Sequence, residues 1–229
     1  MKLIFLVFLI SCGIILLCTS CETKIDQSLS DNYYYNWNKT KIIFNDHGAW
    51  NYKCTVNCDM ETFQIIRELW AKDKNFVFFK GEARKNIDLA TFYFDSNGLP
   101  KDDKYVYTTQ WGSPVRNTML FWEGADPKTF ELIKLNDGYA DVWKLYLWGK
   151  DSKNYFRSLE VMDCDYETFE IIDSHHAKDK NNVYYEYKII ANADPKTFRF
   201  DSIKNSYVDD KYEYRAGKVI EKSKNRVNF

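Results

Sequence analysis

The stretch CDYETFEIIDSHHAKDKNNVYY, residues 164–185, gathers a cysteine, two adjacent histidines and several aspartates in one short segment. Such residues can ligate a metal or move protons, because thiolate, imidazole and carboxylate are common zinc donors and imidazole titrates near neutral pH. The spacing argues for another role. Residues 58–79, CDMETFQIIRELWAKDKNFVFF, match the stretch at an offset of 106, with AKDKN at 71–75 repeated at 177–181. In that sister copy His175 and His176 are Leu69 and Trp70. Adjacent residues of a strand point to opposite faces, so the two imidazoles are expected to be ordinary strand or turn residues rather than a chelating pair. His47 stands apart from any ligand pattern.

The other reactive groups read the same way. Cys58 and Cys164 occupy the place of Ala125, Ala193 and Ile87 in related segments, which describes a small apolar slot. Cys54 lies four residues before Cys58, and a bond between them stays open as an alternative in an oxidising compartment. DSNG from Asp95 and NDG from Asn136 have calcium-loop residues but no distal glutamate, and turns select the same residue types. No nucleophile elbow, His-Glu-x-x-His or phosphate loop is present, so no catalytic residue, metal or cofactor is expected. The best candidates for ligand contact are Trp111, Trp122, Trp143 and Trp148, four of seven tryptophans, since indoles stack on sugars and anchor protein partners. In DVWKLYLW the alternation also makes part of this cluster a candidate core.

The elements that position these residues are repeats. Asp-x-x-Thr-Phe recurs at Asp59, Asp88, Asp126, Asp165 and Asp194, with its threonines spaced by 29, 38, 39 and 29 residues. Periods of this size mark arrays whose units bury their apolar faces on one another. Asp-Pro-Lys-Thr-Phe at 126–130 and 194–198 places a capping aspartate before a proline with fixed φ, predicting one tight turn before a short strand. AKDKN then predicts the turn of a β-hairpin whose second strand is VYY or VFF. The fold expectation is mainly β: tandem β-hairpin repeats stacked into an elongated sheet or solenoid-like body. A β-propeller-like array is the alternative, ranked lower because 29 residues suit two or three short strands rather than the four of a propeller blade.

The segments DKNFVFF, DKNNVYY and DSKNYF, each with a nearby Thr-Phe, resemble the DKNYY family of bacterial repeat proteins over residues 58–214. At Asp102 and Asp209 the pattern departs to DDKY. The resemblance implies an envelope-associated bacterial repeat protein and carries over no catalytic residue.

At the N-terminus Lys2 precedes an uncharged run, LIFLVFLISCGIILLCTS, which ends before Cys21. This resembles a bacterial lipoprotein signal, with Ser20 before a lipidated Cys21; Cys12 in LISC is a rival, and an ordinary signal peptide or uncleaved anchor a further alternative. The partner implied is a lipid membrane, reached through an N-terminal lipid anchor. Of the 32 basic residues the 31 beyond Lys2 nearly balance the 33 acidic ones that alternate with them, so no nucleic-acid partner is expected. The expected organisation is a signal peptide at 1–20, a tether with degenerate first strands at 21–50, the repeat domain at 51–216 and a polar tail at 217–229. The expected function is a non-enzymatic, envelope-anchored lipoprotein that binds another envelope component, protein or glycan, through its repeat face. The alternative is a glycan-binding or carbohydrate-active module using the central tryptophans.

Overall fold

The computed structural model describes residues 22–47, 52–109, 119–133, 135 and 148–220. They form a nearly all-β body of short antiparallel hairpins. Strands run from two residues, as at Thr23–Lys24, to five, as at Ile42–Asp46. Six units follow one another in strands between residues 23–56, 64–84, 93–121, 131–161, 170–189 and 199–220. Five are four-stranded meanders, and the third is two hairpins joined by a bridge between Lys101 and Val106.

Four strands per unit exceed the two or three expected for 29 residues. They fit because each strand is two to five residues and the last hairpin turns within two. Lys80–Gly81, Ser158–Leu159 and Ala216–Gly217 all have positive φ at both positions, as a type I′ turn requires. Strand count therefore no longer weighs against the propeller-like alternative. The first unit starts at Thr23, and its last strand, Tyr52–Val56, lies beyond residue 50, so the unit spans the expected boundary there. The strand Lys218–Ile220 falls in the stretch read as a tail.

The recurring residues explain the unit. In the second unit AKDKN joins Trp70–Lys72 to Val77–Phe79, and the Asp73 backbone N–H donates to the Phe76 carbonyl at 3.0 Å. Asp73 is 4 % exposed, and its Oδ1 accepts from the N–H groups of Asn75 and Phe76 at 2.7 and 2.8 Å. Its Oδ2 accepts the N–H of Asp59 at 2.7 Å, tying the hairpin turn to the Asp-x-x-Thr-Phe segment. A second tie runs beside it, from the Lys74 N–H to the Thr62 hydroxyl at 3.1 Å. The Thr62 hydroxyl donates in turn to Asp59 at 2.7 Å. The fifth unit repeats every bond: Asp165 N–H to Asp179 at 2.8 Å, Lys180 N–H to Thr168 at 3.1 Å, and Asn181 and Asn182 N–H to Asp179 at 2.7 Å. The fourth and sixth do so through Asp126 with Asp151 and Asp194 with Asp209, both at 3.0 Å.

The aromatic that ends the motif adds one more donor. The hydroxyls of Tyr107, Tyr184 and Tyr214 donate to Asp102, Asp179 and Asp209 at 2.5, 2.8 and 2.5 Å. Burial works against the charge of Asp179 and Asp209, but the backbone and tyrosine donors outweigh it and hold both carboxyls below the ordinary value. The rings of Tyr184 and Tyr214, and Phe78 and Phe156 in their place, pack on the phenylalanine of the unit's own Thr-Phe, as in Phe63–Phe78 at 5.9 Å and Phe169–Tyr184 at 5.7 Å. The first unit uses Asn36 in the same slot: its Oδ1 accepts from the N–H groups of Thr40 and Lys41 at 2.8 and 2.9 Å.

The chain divides into two compact bodies, residues 1–92 and 93–229. In the first, Tyr33, Ile42 and Phe44 of one unit share a core with Ile65, Ala71 and Phe78 of the next. Gly81 permits this approach, because a Cβ there would lie 2.6 Å from the Cβ of Phe44. In the second body each successive pair of units shares such a core, through Trp122 with Phe130, Trp148 with Phe169, and Val183 with Phe198. No α-helix occurs among the described residues, and none of their helices is long and apolar enough to cross a membrane.

Replacing Asp179 by alanine leaves three N–H groups without their acceptor and the Tyr184 hydroxyl with only the Asp163 carbonyl, so Asp179→Ala is expected to lower stability in urea unfolding by about 3 kcal/mol. Tyr184→Phe, which copies the residue already present at Phe78 and Phe156, should cost about 1 kcal/mol. Equal losses for the two variants would contradict this ranking.

Candidate functional site

Four strands in antiparallel succession give every unit two unlike ends. One carries the aspartate turns and the Asp-x-x-Thr-Phe segments; the other carries the connections between the first and second and between the third and fourth strands, the latter a type I′ turn in units two, four and six. The repeated polar residues lie at the first end. At the second, units four to six bring together Arg157, Asp173, His175, His176, Glu186 and Tyr207, none of them part of the repeat signature.

Arg157 is fully buried, with its guanidinium 4.9 Å from the Trp148 ring. Its Nε donates to Glu186 Oε2 at 2.7 Å and its Nη2 lies 2.6 Å from the same oxygen, joining unit four to unit five. Burial lowers the arginine's pKa, and Glu186 opposes that shift. The other Glu186 oxygen lies 2.6 Å from His175 Nδ1. His176 faces the opposite way and is buried; its Nδ1 lies 3.1 Å from both oxygens of Asp173. Asp173 also accepts the backbone N–H groups of His175 and His176 at 2.7 and 2.6 Å and the hydroxyl of Tyr207 from unit six. Its carbonyl accepts Trp148 Nε1–H from unit four at 2.9 Å, so one residue bonds to both neighbouring units. Burial alone would raise the Asp173 pKa, but the bonds from His176, Tyr207 and the backbone win and lower it.

His176 sits where Trp70 and Trp148 sit in their units, three residues before the turn aspartate, and packs on Phe198 and Tyr207 of the following unit at 6.1 and 3.9 Å. The pair is thus divided between two faces, as alternation predicted. Among the described residues no group of three or more His, Cys, Asp or Glu could hold a metal ion. Cys54, Cys58 and Cys164 are unbonded, so the bond left open between Cys54 and Cys58 is not formed. Burial, reinforced by neighbouring carboxylates, pushes the Cys58 and Cys164 thiols up to about 11 and about 12, which leaves them protonated at neutral pH.

Of the tryptophans read as ligand contacts, Trp122 and Trp148 are each 1 % exposed and belong to the shared cores. Trp122 packs on Phe130 at 5.0 Å and on Phe156 at 6.2 Å. Trp111 and Trp143 lie outside the described residues, as do Cys21 and Cys12.

The repeated geometry has a counterpart among known families, since the model of the DKNYY family matches residues 11–111 and 94–217. The chain belongs to the DKNYY family. No curated protein and no solved structure matches it. In DKNYY terms the signature's aspartate is the buried acceptor of the hairpin turn, and its tyrosine five residues on is a donor to that acceptor. The cluster at the other unit ends lies outside the signature. Arg157 could have been suspected from the sequence, because Phe79 and Tyr185 stand at its place in the sister units.

Removing Glu186 strands a buried guanidinium, and a buried pair broken on one side loses about 3–5 kcal/mol. Glu186 is partly exposed, so Glu186→Ala is expected to cost about 2 kcal/mol, while Arg157→Met with Glu186→Leu should recover most of the loss in thermal unfolding. Because the folded Asp173 pKa is depressed, its contribution is present above the unfolded value of about 4 and is lost as pH falls through the folded one. Acid should therefore loosen unit six from unit five, read as amide exchange in residues 199–220, and Asp173→Asn should abolish that pH dependence.

Proposed function

We propose that this DKNYY protein is a non-enzymatic, envelope-anchored lipoprotein, lipidated at Cys21, that binds another envelope component through the unit ends opposite the aspartate turns. The observation that carries the reading is the division of labour between the two ends. The signature's aspartates, threonines and tyrosines are spent on bonds within their own units, which makes that end a constant scaffold. The other end varies from unit to unit in loop length and residue type, and presents Tyr187 and the 96 % exposed Ile203. Function in repeat arrays concentrates on such variable loops held by a constant frame. The strands flanking 110–118 and 136–147 also finish at this end.

The membrane location rests on the N-terminal sequence, a charged residue followed by an apolar run and Ser20–Cys21. A glycan-binding module is the second reading. With Trp122 and Trp148 covered by their cores, it would depend on Trp111 and Trp143.

Metabolic labelling with a fatty-acid probe tests the anchor: label is expected on the wild type and lost in Cys21→Ala, and unchanged labelling would move the lipid elsewhere or remove it. Photo-crosslinking residues placed at Tyr187 or Ile203, against Lys74 or Lys180 at the aspartate-turn end, test the surface in intact envelopes. Adducts are expected from the first pair, and equal yields from both pairs would overturn the assignment.

A further inference from the structure

The unit-to-unit cores depend on three positions counted from the turn aspartate: three residues before it, four after and six after. In unit five these are His176, Val183 and Tyr185, which meet Phe198, Tyr207 and Tyr214 of unit six. Tyr185 lies so close to the next unit that a Cβ on Gly217 would stand 2.7 Å from its own Cβ. In unit four the same positions are Trp148, Tyr155 and Arg157; the first two pack on Phe169, and the arginine's charge is met by Glu186. In unit six they are Ser206, Glu213 and Arg215. The Ser206 hydroxyl donates to Glu213 at 2.9 Å, Lys204 lies 3.8 Å from Glu213, and Arg215 is exposed.

All three stacking positions thus become polar together in unit six, whereas its inward face, with Phe198 and Tyr214, stays apolar. We infer that the outward face of unit six is an end cap that refuses a further repeat unit, including one offered by a second copy of this chain. A unit docking there would have to desolvate the exposed Arg215 and the Glu213–Lys204 pair, a cost that a preformed apolar face does not carry. Terminal repeats with a polar outer face keep arrays from adding units end to end.

The inference is tested by giving unit six the stacking residues of unit five. Sedimentation velocity of the whole chain, in a detergent matched to solvent density, compares the wild type with Ser206→His/Glu213→Val/Arg215→Tyr over a concentration series. The weight-average mass of the variant is expected to climb with concentration well above that of the wild type. Superimposable curves, with far-UV circular dichroism showing the variant folded, would overturn the inference. Should the triple variant fail to fold, Arg215→Tyr alone, at an exposed side chain, is expected to show the same rise to a smaller extent, and its absence counts equally against the cap.

Discussion

Everything in this protein hangs on a carboxylate that has been taken out of water. An aspartate at a hairpin turn, 1–5 % exposed in Asp73, Asp102, Asp151, Asp179 and Asp209, loses hydration that an isolated charge cannot forgo. Backbone N–H groups replace that water. Two come from the turn itself and, in four units, a third from the capping aspartate upstream. Such charge-assisted bonds are about twice as strong as neutral ones, and they fix the turn, the entry of the first strand and the distance between them at a single point. A unit of about thirty residues is too small to hold itself by apolar burial alone, so a polar node of this kind and a shared core are complementary requirements.

The node also orients the aromatic residues. Where the fifth residue after the aspartate is tyrosine, its hydroxyl is bonded to the carboxylate, and the rings of Tyr184 and Tyr214 rest on the phenylalanine of Thr-Phe. That places the residues on either side of it toward the next unit, where they build the following core. Ion pairs then add neighbour-specific contacts with opposite polarity in different places: Lys80 with Asp46 in the first body and Glu186 with Arg157 in the second. Such pairs between look-alike units discriminate the right neighbour from the wrong one more than they add stability.

Much of this was legible in the sequence. The repeat, the AKDKN hairpin, the turn at Asp-Pro-Lys-Thr-Phe and the small slot of Cys58 and Cys164 all follow from residue types whose local preferences agree with the fold. The division of His175 and His176 between two faces was also legible, from strand alternation and from Leu69 and Trp70 in their places. Three things were hidden. The first unit was blurred because Asn36 replaces the aspartate and its turn is longer, which breaks the spacing while keeping the hydrogen-bond pattern. The fourth strand of each unit was missed because two- and three-residue strands leave almost no alternation to read. The burial of Trp122 and Trp148, and the bonding of Arg157 to Glu186, depend on which unit packs on which face, a tertiary fact that alternation within one strand does not contain.

The central claim is that Asp179 and Asp209 stay ionised inside the protein because backbone and tyrosine donors favour the charge more than burial penalises it. Carboxyl-carbon NMR of the whole chain, following Asp179 and Asp209 through acid, measures this directly. Both are predicted to titrate below the ordinary aspartate midpoint of about 3.9; midpoints at or above that value would contradict the account, because burial would then outweigh the donors that are supposed to hold each unit together.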